Sequence, residues 1–197
     1  MTDTPPRSTP TPPMTSHSKR RASLAVVSVN YRTADLAIDA ARSVVDELAA
    51  IGGRCVIVDN FSADGSVARL QGFAASPAAR GVVHIVASPV NGGFSAGNNL
   101  GFAAIDADWY LLLNSDASAA PGALSAMLRA AEAAPGCGLV TPTIADRQGG
   151  AQVSRFRRHS PLGELIEGAQ TGPVTRLFQR ASAPIAPDDW ATPPDWV

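Results

Sequence analysis

Short apolar runs recur along the chain, each followed by a stretch of helical period, and this alternation narrows the folds open to it. The runs fall at 24–29, 55–58, 82–87, 109–113 and 139–144. Apolar runs of this length between polar residues read as buried strands. The segment 34–50 places Ala37, Ala41, Val44, Val45 and Leu48 on one helical face, with Thr33 or Asp35 available as a cap. The segment 64–75 turns Val67, Leu70 and Ala74 to one side. A third helix is expected over 95–104 and a fourth over 121–134, the latter with Pro121 near its first turn and Leu124, Met127 and Leu128 apolar. Strand and helix in repeated alternation predict an α/β fold, a mostly parallel sheet with helices on both faces and right-handed crossovers.

The pattern has limits at both ends. Residues 1–22 are rich in Thr, Pro and Ser, a composition that cannot build a core and predicts a disordered tail. After Ala145 the periodicity decays through Gly149-Gly150, Arg155-Phe156-Arg157-Arg158 and scattered prolines. The division expected is therefore a tail at 1–22, an α/β half at 23–145 and an irregular region at 146–197. A net charge of -1 gives no general attraction to nucleic acid. Cys55 and Cys137 belong to no CxxC or Cys/His cluster, which predicts two free thiols in a reducing compartment. No apolar stretch approaches the roughly 20 residues of a membrane span. The basic Ser18-Lys19-Arg20-Arg21 precedes an apolar run too short for a signal peptide, so a cytoplasmic protein is expected.

Polar residues cluster where the proposed strands end. Asn30-Tyr31 follows the first; Asp59-Asn60 and then Ser62-Ala63-Asp64-Gly65-Ser66 follow the second. Asn91-Gly92-Gly93-Phe94 comes after the third, and Asn114-Ser115-Asp116 after the fourth. Open α/β sheets bind ligands at this edge. Asp59 could accept a hydrogen bond from a pyrimidine ring N–H, or Asp59 or Ser62 could cap the helix near residue 64. Asp64-Gly65 reads as the turn opening that helix. The stretch from Asn91 to Asn99 is glycine-rich and runs into a helix, which suits phosphate; a plain turn with Ser95 as N-cap is the alternative. Asn98 and Asn99 are poor helix formers and sit awkwardly with that alternative. The glycine spacing is neither that of a Rossmann GxGxxG nor that of a P-loop. Asp116 could hold a hard divalent cation or be a simple loop residue. His17, His84 and His159 form no catalytic order with Ser and Asp. Arg155, Arg157 and Arg158 could meet an anionic acceptor or form a solvated face.

Taken in order, these segments resemble the family 2 glycosyltransferases, in particular their bacterial rhamnosyltransferase-like branch. The resemblance rests on Val26-Val27-Ser28-Val29-Asn30-Tyr31, on Val58-Asp59-Asn60 with Ser62-Ala63-Asp64-Gly65-Ser66, on Asn91-Gly92-Gly93-Phe94-Ser95-Ala96-Gly97-Asn98-Asn99-Leu100-Gly101 and on Leu111-Leu112-Leu113-Asn114-Ser115-Asp116. It implies a GT-A fold and inverting transfer from a dTDP- or UDP-sugar, with Mg²⁺ or Mn²⁺ bridging the diphosphate. By position it assigns Asn30, Tyr31, Asp59, Asn60, Asn91, Gly93, Phe94, Asn98 and Asn114 to the sugar-nucleotide site, with Asp59 on the base, and Asp116 to the metal. The acceptor implied is a glycan or lipid-linked molecule of cell-envelope polysaccharide synthesis, reached in the cytoplasm or at the inner face of the membrane.

Family members continue past an Asp-Trp-Val segment into an acceptor-binding half that carries the general base. This chain reaches that segment at Asp195-Trp196-Val197, so the base is expected beyond Val197 or on a separate chain. Glu164, Glu167, Asp188 and Asp189 lie in the wrong segment to supply it. The competing expectations are a catalytically inactive nucleotide-binding or interaction module and a nucleotidyltransferase. The latter lacks here the Gly-rich, Arg-containing loop expected after its first strand.

Overall fold

The structure is a computed structural model that describes residues 21–146, 148–156, 158, 160–161, 183–186 and 189. Of the tail expected over 1–22, residues 1–20 lie outside the described residues and Ala22 instead opens the first strand. Arg157, His159, Glu164, Glu167, Asp188 and Asp195-Trp196-Val197 also lie outside. The chain divides into two compact units, Met1–Pro121 and Gly122–Val197.

In the first unit the expected alternation appears as β1 (Ala22–Asn30), α1 (Ala34–Ile51), β2 (Arg54–Asp59), α2 (Ser66–Ala74), β3 (Val83–Ala87), α3 (Gly93–Ala104) and β4 (Ala107–Leu112). The four strands form one sheet in the order β3-β2-β1-β4, with every neighbouring pair parallel. Val26, Val27, Val56, Ile57 and Val58 on the two inner strands are fully buried. The walk from β1 through β2 to β3 runs one way and then returns across β1 to β4. With right-handed crossovers, that reversal sets α3 on the face opposite α1 and α2. It also makes the carboxyl ends of β1 and β4 the switch point of the sheet, where such folds open a ligand crevice.

Small side chains set the helices close to the sheet. α1 buries Ala34, Ala37, Ala40 and Ala41 beside Val44, Val45 and Leu48, and it ends at Gly52 in the left-handed region at φ 72. On the other face, a Cβ at Gly97 would lie 2.9 Å from Val29 Cγ1, and one at Gly101 would overlap the Val27 side chain. Glycines four apart on α3 thus let its backbone lie directly on β1.

Several local expectations change. Neither Thr33 nor Asp35 caps α1 with its side chain: Thr33 turns to Asn30, and Asp35 pairs with Arg69. α2 begins at Ser66 after Gly65 at φ 87, so Asp64-Gly65 is indeed the opening turn, and neither Asp59 nor Ser62 caps the helix. α3 begins at Gly93, which places Ser95 inside the helix rather than at its cap. β4 is not a buried strand. Among the described residues it pairs only with β1, and Tyr110 and Leu112 are exposed, Tyr110 resting edge-on against Phe102 at 5.0 Å.

The second unit contains α4 (Ala123–Glu132), which follows Gly122 at φ 82 and buries Leu124 and Ala131. The fifth strand expected over 139–144 does not form; this stretch is irregular, and Leu139 is 72% exposed. Pro142 has no N–H to give a ladder, which argues against a strand through that segment. An antiparallel bridge instead joins Ala145 to Ala151, and another joins Phe156 to Pro184. No helix among the described residues is long and apolar enough to cross a membrane.

Candidate functional site

Sheet register brings the first group of residues together. Asn30 pairs across the sheet with Asp59, and Asp59 with Ala87, so the last residues of β1, β2 and β3 are level. Asn30, Asp59 and Ser62 are all buried. Polar groups removed from water must find partners, and these find one another. Asn30 Nδ2 donates to Asp59 Oδ1 at 2.7 Å and to Ser62 Oγ at 3.3 Å. Ser62 Oγ donates to Asp59 Oδ1 at 2.5 Å, and the Ser62 N–H donates to Asp59 Oδ2 at 3.0 Å. Asn30 Oδ1 accepts from the N–H and the hydroxyl of Thr33 at 3.1 and 3.2 Å. A carboxylate offers about four lone-pair directions; three are filled within the protein, leaving Oδ2 able to take one more donor.

The loops above this network are forced into uncommon backbone. Arg32 at φ 60, Phe61 at φ 62 and Ala63 at φ 53 are left-handed without being glycine. All three lie just past β1 or β2. Strain of this kind is held in place by surrounding bonds and gathers at functional sites. Here Ser62 supplies the bonds: its Oγ accepts the Arg32 N–H at 2.9 Å, and its carbonyl accepts Arg32 Nε at 3.3 Å.

Asn60 extends the network to the glycine-rich loop. Its Nδ2 donates to Asn91 Oδ1 at 2.8 Å and to the Gly93 carbonyl at 3.3 Å, while its Oδ1 accepts the Gly92 N–H at 3.2 Å. Asn91 Oδ1 also accepts the Gly93 N–H at 3.1 Å. The N-terminus of α3 is therefore pinned to the end of β2. Its first-turn N–H groups have no carbonyl one turn back to bond, and Phe94 and Ser95 there are exposed. Asn98 is buried one turn further on; Nδ2 donates to the Phe94 carbonyl at 3.0 Å, and Oδ1 has no partner. Tyr31 and Phe61 on these loops, and Phe94 in the first turn of α3, stand exposed at 43%, 51% and 55%.

The segment Asn114-Ser115-Asp116 belongs to a different environment. Leu112 pairs with Val27 and the Leu113 N–H donates to the Val27 carbonyl at 2.9 Å, so the chain leaves β4 beside the last residues of β1. It then forms a turn closed by Ala117 N–H to the Asn114 carbonyl at 3.1 Å. Asn114 and Asp116 are exposed. The Asp116 carboxylate makes no hydrogen bond or ion pair with a described residue. No group of three or more His, Cys, Asp or Glu side chains that could hold a metal occurs among the described residues. A single uncommitted carboxylate still suits Mg²⁺ or Mn²⁺, because such ions keep several waters and share phosphate oxygens.

The structure thus gathers Asn30, Asp59, Asn60, Asn91 and Gly93 into one hydrogen-bonded assembly. Tyr31 stands on its first loop, Phe94 and Asn98 sit in α3, and Asn114 and Asp116 lie on the neighbouring strand end. Two residues with no assigned role prove central. Ser62 joins β1 to β2; the sequence shows it as a possible cap and as part of a family-like segment, with no role in the network. Arg32 follows the Asn-Tyr pair and has no sequence signature of its own. Cys55 and Cys137 are free thiols, as expected, and burial pushes the Cys55 thiol up to about 12.

The family model for glycosyl transferase family 2 matches residues 26–184. No curated protein sequence matches the chain. Among solved structures it is similar to a mannosyltransferase from Pyrobaculum calidifontis, determined in complex with GDP-Man and Mn²⁺, at 17% identity and a TM-score of 0.48. That similarity covers 75% of this chain and 39% of the mannosyltransferase chain. The family match spans most of the sequence, and the chain belongs to glycosyl transferase family 2.

Proposed function

We propose that this chain carries the donor site of a glycosyltransferase, binding a dTDP- or UDP-sugar with Mg²⁺ or Mn²⁺ for inverting transfer to a glycan or lipid-linked acceptor of the cell envelope. The observation that carries this reading is the assembly at the carboxyl edge of the sheet: Asn30, Asp59 and Ser62 locked together beside a glycine-rich helix start pinned by Asn60. In the reading, residues 23–145 form the donor half and 146–197 begin the acceptor region. The rhamnosyltransferase-like branch and a cytoplasmic site of action belong to the same proposal.

In this reading each residue takes a distinct role. The free lone pair of Asp59 accepts the ring N–H of the base, with Tyr31 exposed alongside. The N–H groups of Phe94 and Ser95 in the first turn of α3 face the donor's anionic portion, where a helix start favours negative charge, while Gly93, bonded to Asn91 and Asn60, sets the turn that presents them. Asp116, with Asn114 beside it, would hold the metal. When bound, the ion offsets charge that develops on the departing nucleoside diphosphate. The acceptor hydroxyl must lose a proton as the new glycosidic bond forms, and that base is not assigned to a described residue.

Calorimetry tests the reading with UDP, dTDP and GDP, each with and without Mn²⁺. UDP or dTDP should bind in a Mn²⁺-dependent manner, and Asp116→Ala should abolish the metal dependence. No binding of any nucleotide at millimolar concentration would refute the donor site. Binding without sugar transfer would mark the chain as a nucleotide-binding module.

A further inference from the structure

We propose that Arg32 is the side chain that contacts the donor's diphosphate, an inference that rests on the donor-site reading above. The four loops that follow the strands in the first unit, at 31–33, 60–65, 88–92 and 113–121, contain one Lys or Arg between them, and it is Arg32. The same edge carries the carboxylates of Asp59, Asp64 and Asp116. A diphosphate brought to this edge meets like charge unless cations answer it. A metal at Asp116 answers part of that charge from the β4 side. On the β1–β2 side, Arg32 is the only fixed cation these loops supply.

The arginine is also held in a working position. Its backbone is left-handed at φ 60, its N–H donates to Ser62 Oγ at 2.9 Å, and its Nε donates to the Ser62 carbonyl at 3.3 Å. The guanidinium lies 5.1 Å from the centre of the Tyr31 ring. One edge of the fork is thereby spent on Ser62. The two terminal nitrogens make no hydrogen bond to a described residue and remain able to donate. A guanidinium so arranged matches paired phosphate oxygens, and less of its rotational freedom remains to be lost on binding. Through Ser62 the arginine is coupled to Asp59, so one buried network would set both the base contact and the phosphate contact.

Asp64 is the carboxylate nearest to competing for this cation. Its carboxyl is held below the ordinary range first by the Ser66 hydroxyl and N–H, with Arg32 a lesser influence. Asp64 Oδ1 is taken by those Ser66 bonds at 2.5 and 3.0 Å, and no hydrogen bond ties it to Arg32.

The test compares uridine, UMP and UDP, by NMR titration for the weak nucleoside and calorimetry for UDP, on the full chain. Arg32→Met and Arg32→Gly should weaken UDP by about tenfold to a hundredfold, the loss expected for a hydrogen bond to a charged group. Uridine affinity should stay unchanged, and Arg32→Lys should recover part of the loss. The glycine variant suits the left-handed backbone, so its agreement with Arg32→Met separates the side chain from the turn. Equal losses for uridine and UDP would overturn the phosphate assignment in favour of a base or structural role. Unchanged UDP affinity would overturn it outright, leaving the donor site standing. Wild-type protein that binds neither ligand would overturn the donor-site reading and this inference with it.

Discussion

The same three residue types gather at two places on the carboxyl edge of this sheet, and they do opposite things. At β1 and β2, Asn30, Asp59 and Ser62 are buried and bonded to one another. At β4, Asn114, Ser115 and Asp116 form a turn in which Asn114 and Asp116 are exposed and the Asp116 carboxylate is uncommitted. The difference lies in the strands beneath them. β1 and β2 are flanked on both sides, so polar groups at their ends lose water and must be satisfied internally. β4 has one described neighbour, and its end keeps its water until something displaces it. An identical composition thus yields a preorganised frame in one place and an exposed, uncommitted carboxylate in the other. In the proposed donor site the division would be useful: the frame would fix geometry before binding, and the exposed carboxylate would be left for an ion that arrives with the phosphate.

The sharpest way to break this comparison is to remove the matching carboxylates. Asp59→Ala leaves Asn30 Nδ2, the Ser62 hydroxyl and the Ser62 N–H as buried donors without their acceptor. A loss of about 3 kcal/mol in urea unfolding is expected from several stranded groups of this kind. Asp116→Ala should change stability by less than about 0.5 kcal/mol, as exposed positions do, while removing the metal dependence of nucleotide binding. Equal stability losses in the two variants would show that the two strand ends are not different in kind.

A smaller effect tests whether the frame depends on how α3 sits. A methyl at Gly101 would collide with Val27 Cγ1 and lie 3.2 Å from Val27 Cγ2. Gly101→Ala should cost about 1–3 kcal/mol through overpacking. Displacing α3 should also strain the Asn60 bonds to Gly92 and Gly93, and so weaken nucleotide binding. Adding Val27→Ala opens the space, and the double variant should lose less than the sum of the two. Strict additivity would mean that the helix does not press on that strand.

These cases also explain what the sequence disclosed. The four strands, four helices and the order of polar strand ends follow from apolar period and turn chemistry, which are local properties. The status of β4 was not legible, because 109–113 is as apolar as an inner strand and only the strand order leaves it at an edge. The strand expected over 139–144 ignored Pro142, whose missing N–H outweighs the apolar residues around it. Ser62 looked like a helix cap because its part in joining β1 to β2 depends on register. Arg32, Phe61 and Ala63 gave no sign of left-handed backbone, since that conformation is imposed on them by tertiary bonds and not by glycine. The pair Gly97 and Gly101 was readable in principle as small residues four apart on one helical face.

Asp64 offers the smallest and most discriminating effect, because it is exposed like Asp116 and yet bonded like Asp59. The Ser66 hydroxyl and N–H hold its carboxyl below the ordinary 3.8. A group whose folded value is depressed stabilises the fold above its unfolded value, and that contribution is lost as pH falls through the folded one. Asp64→Asn keeps an oxygen for the two Ser66 bonds and removes only the charge. The wild type should therefore be slightly more stable than Asp64→Asn at neutral pH. In an acid series taken below 3.8, the difference in urea midpoint should shrink toward zero. A difference that persists unchanged into acid would assign the effect to amide packing instead of charge. Hydrogen bonding at an exposed strand-to-helix turn would then have no electrostatic consequence for the fold, and burial alone would separate the two strand ends.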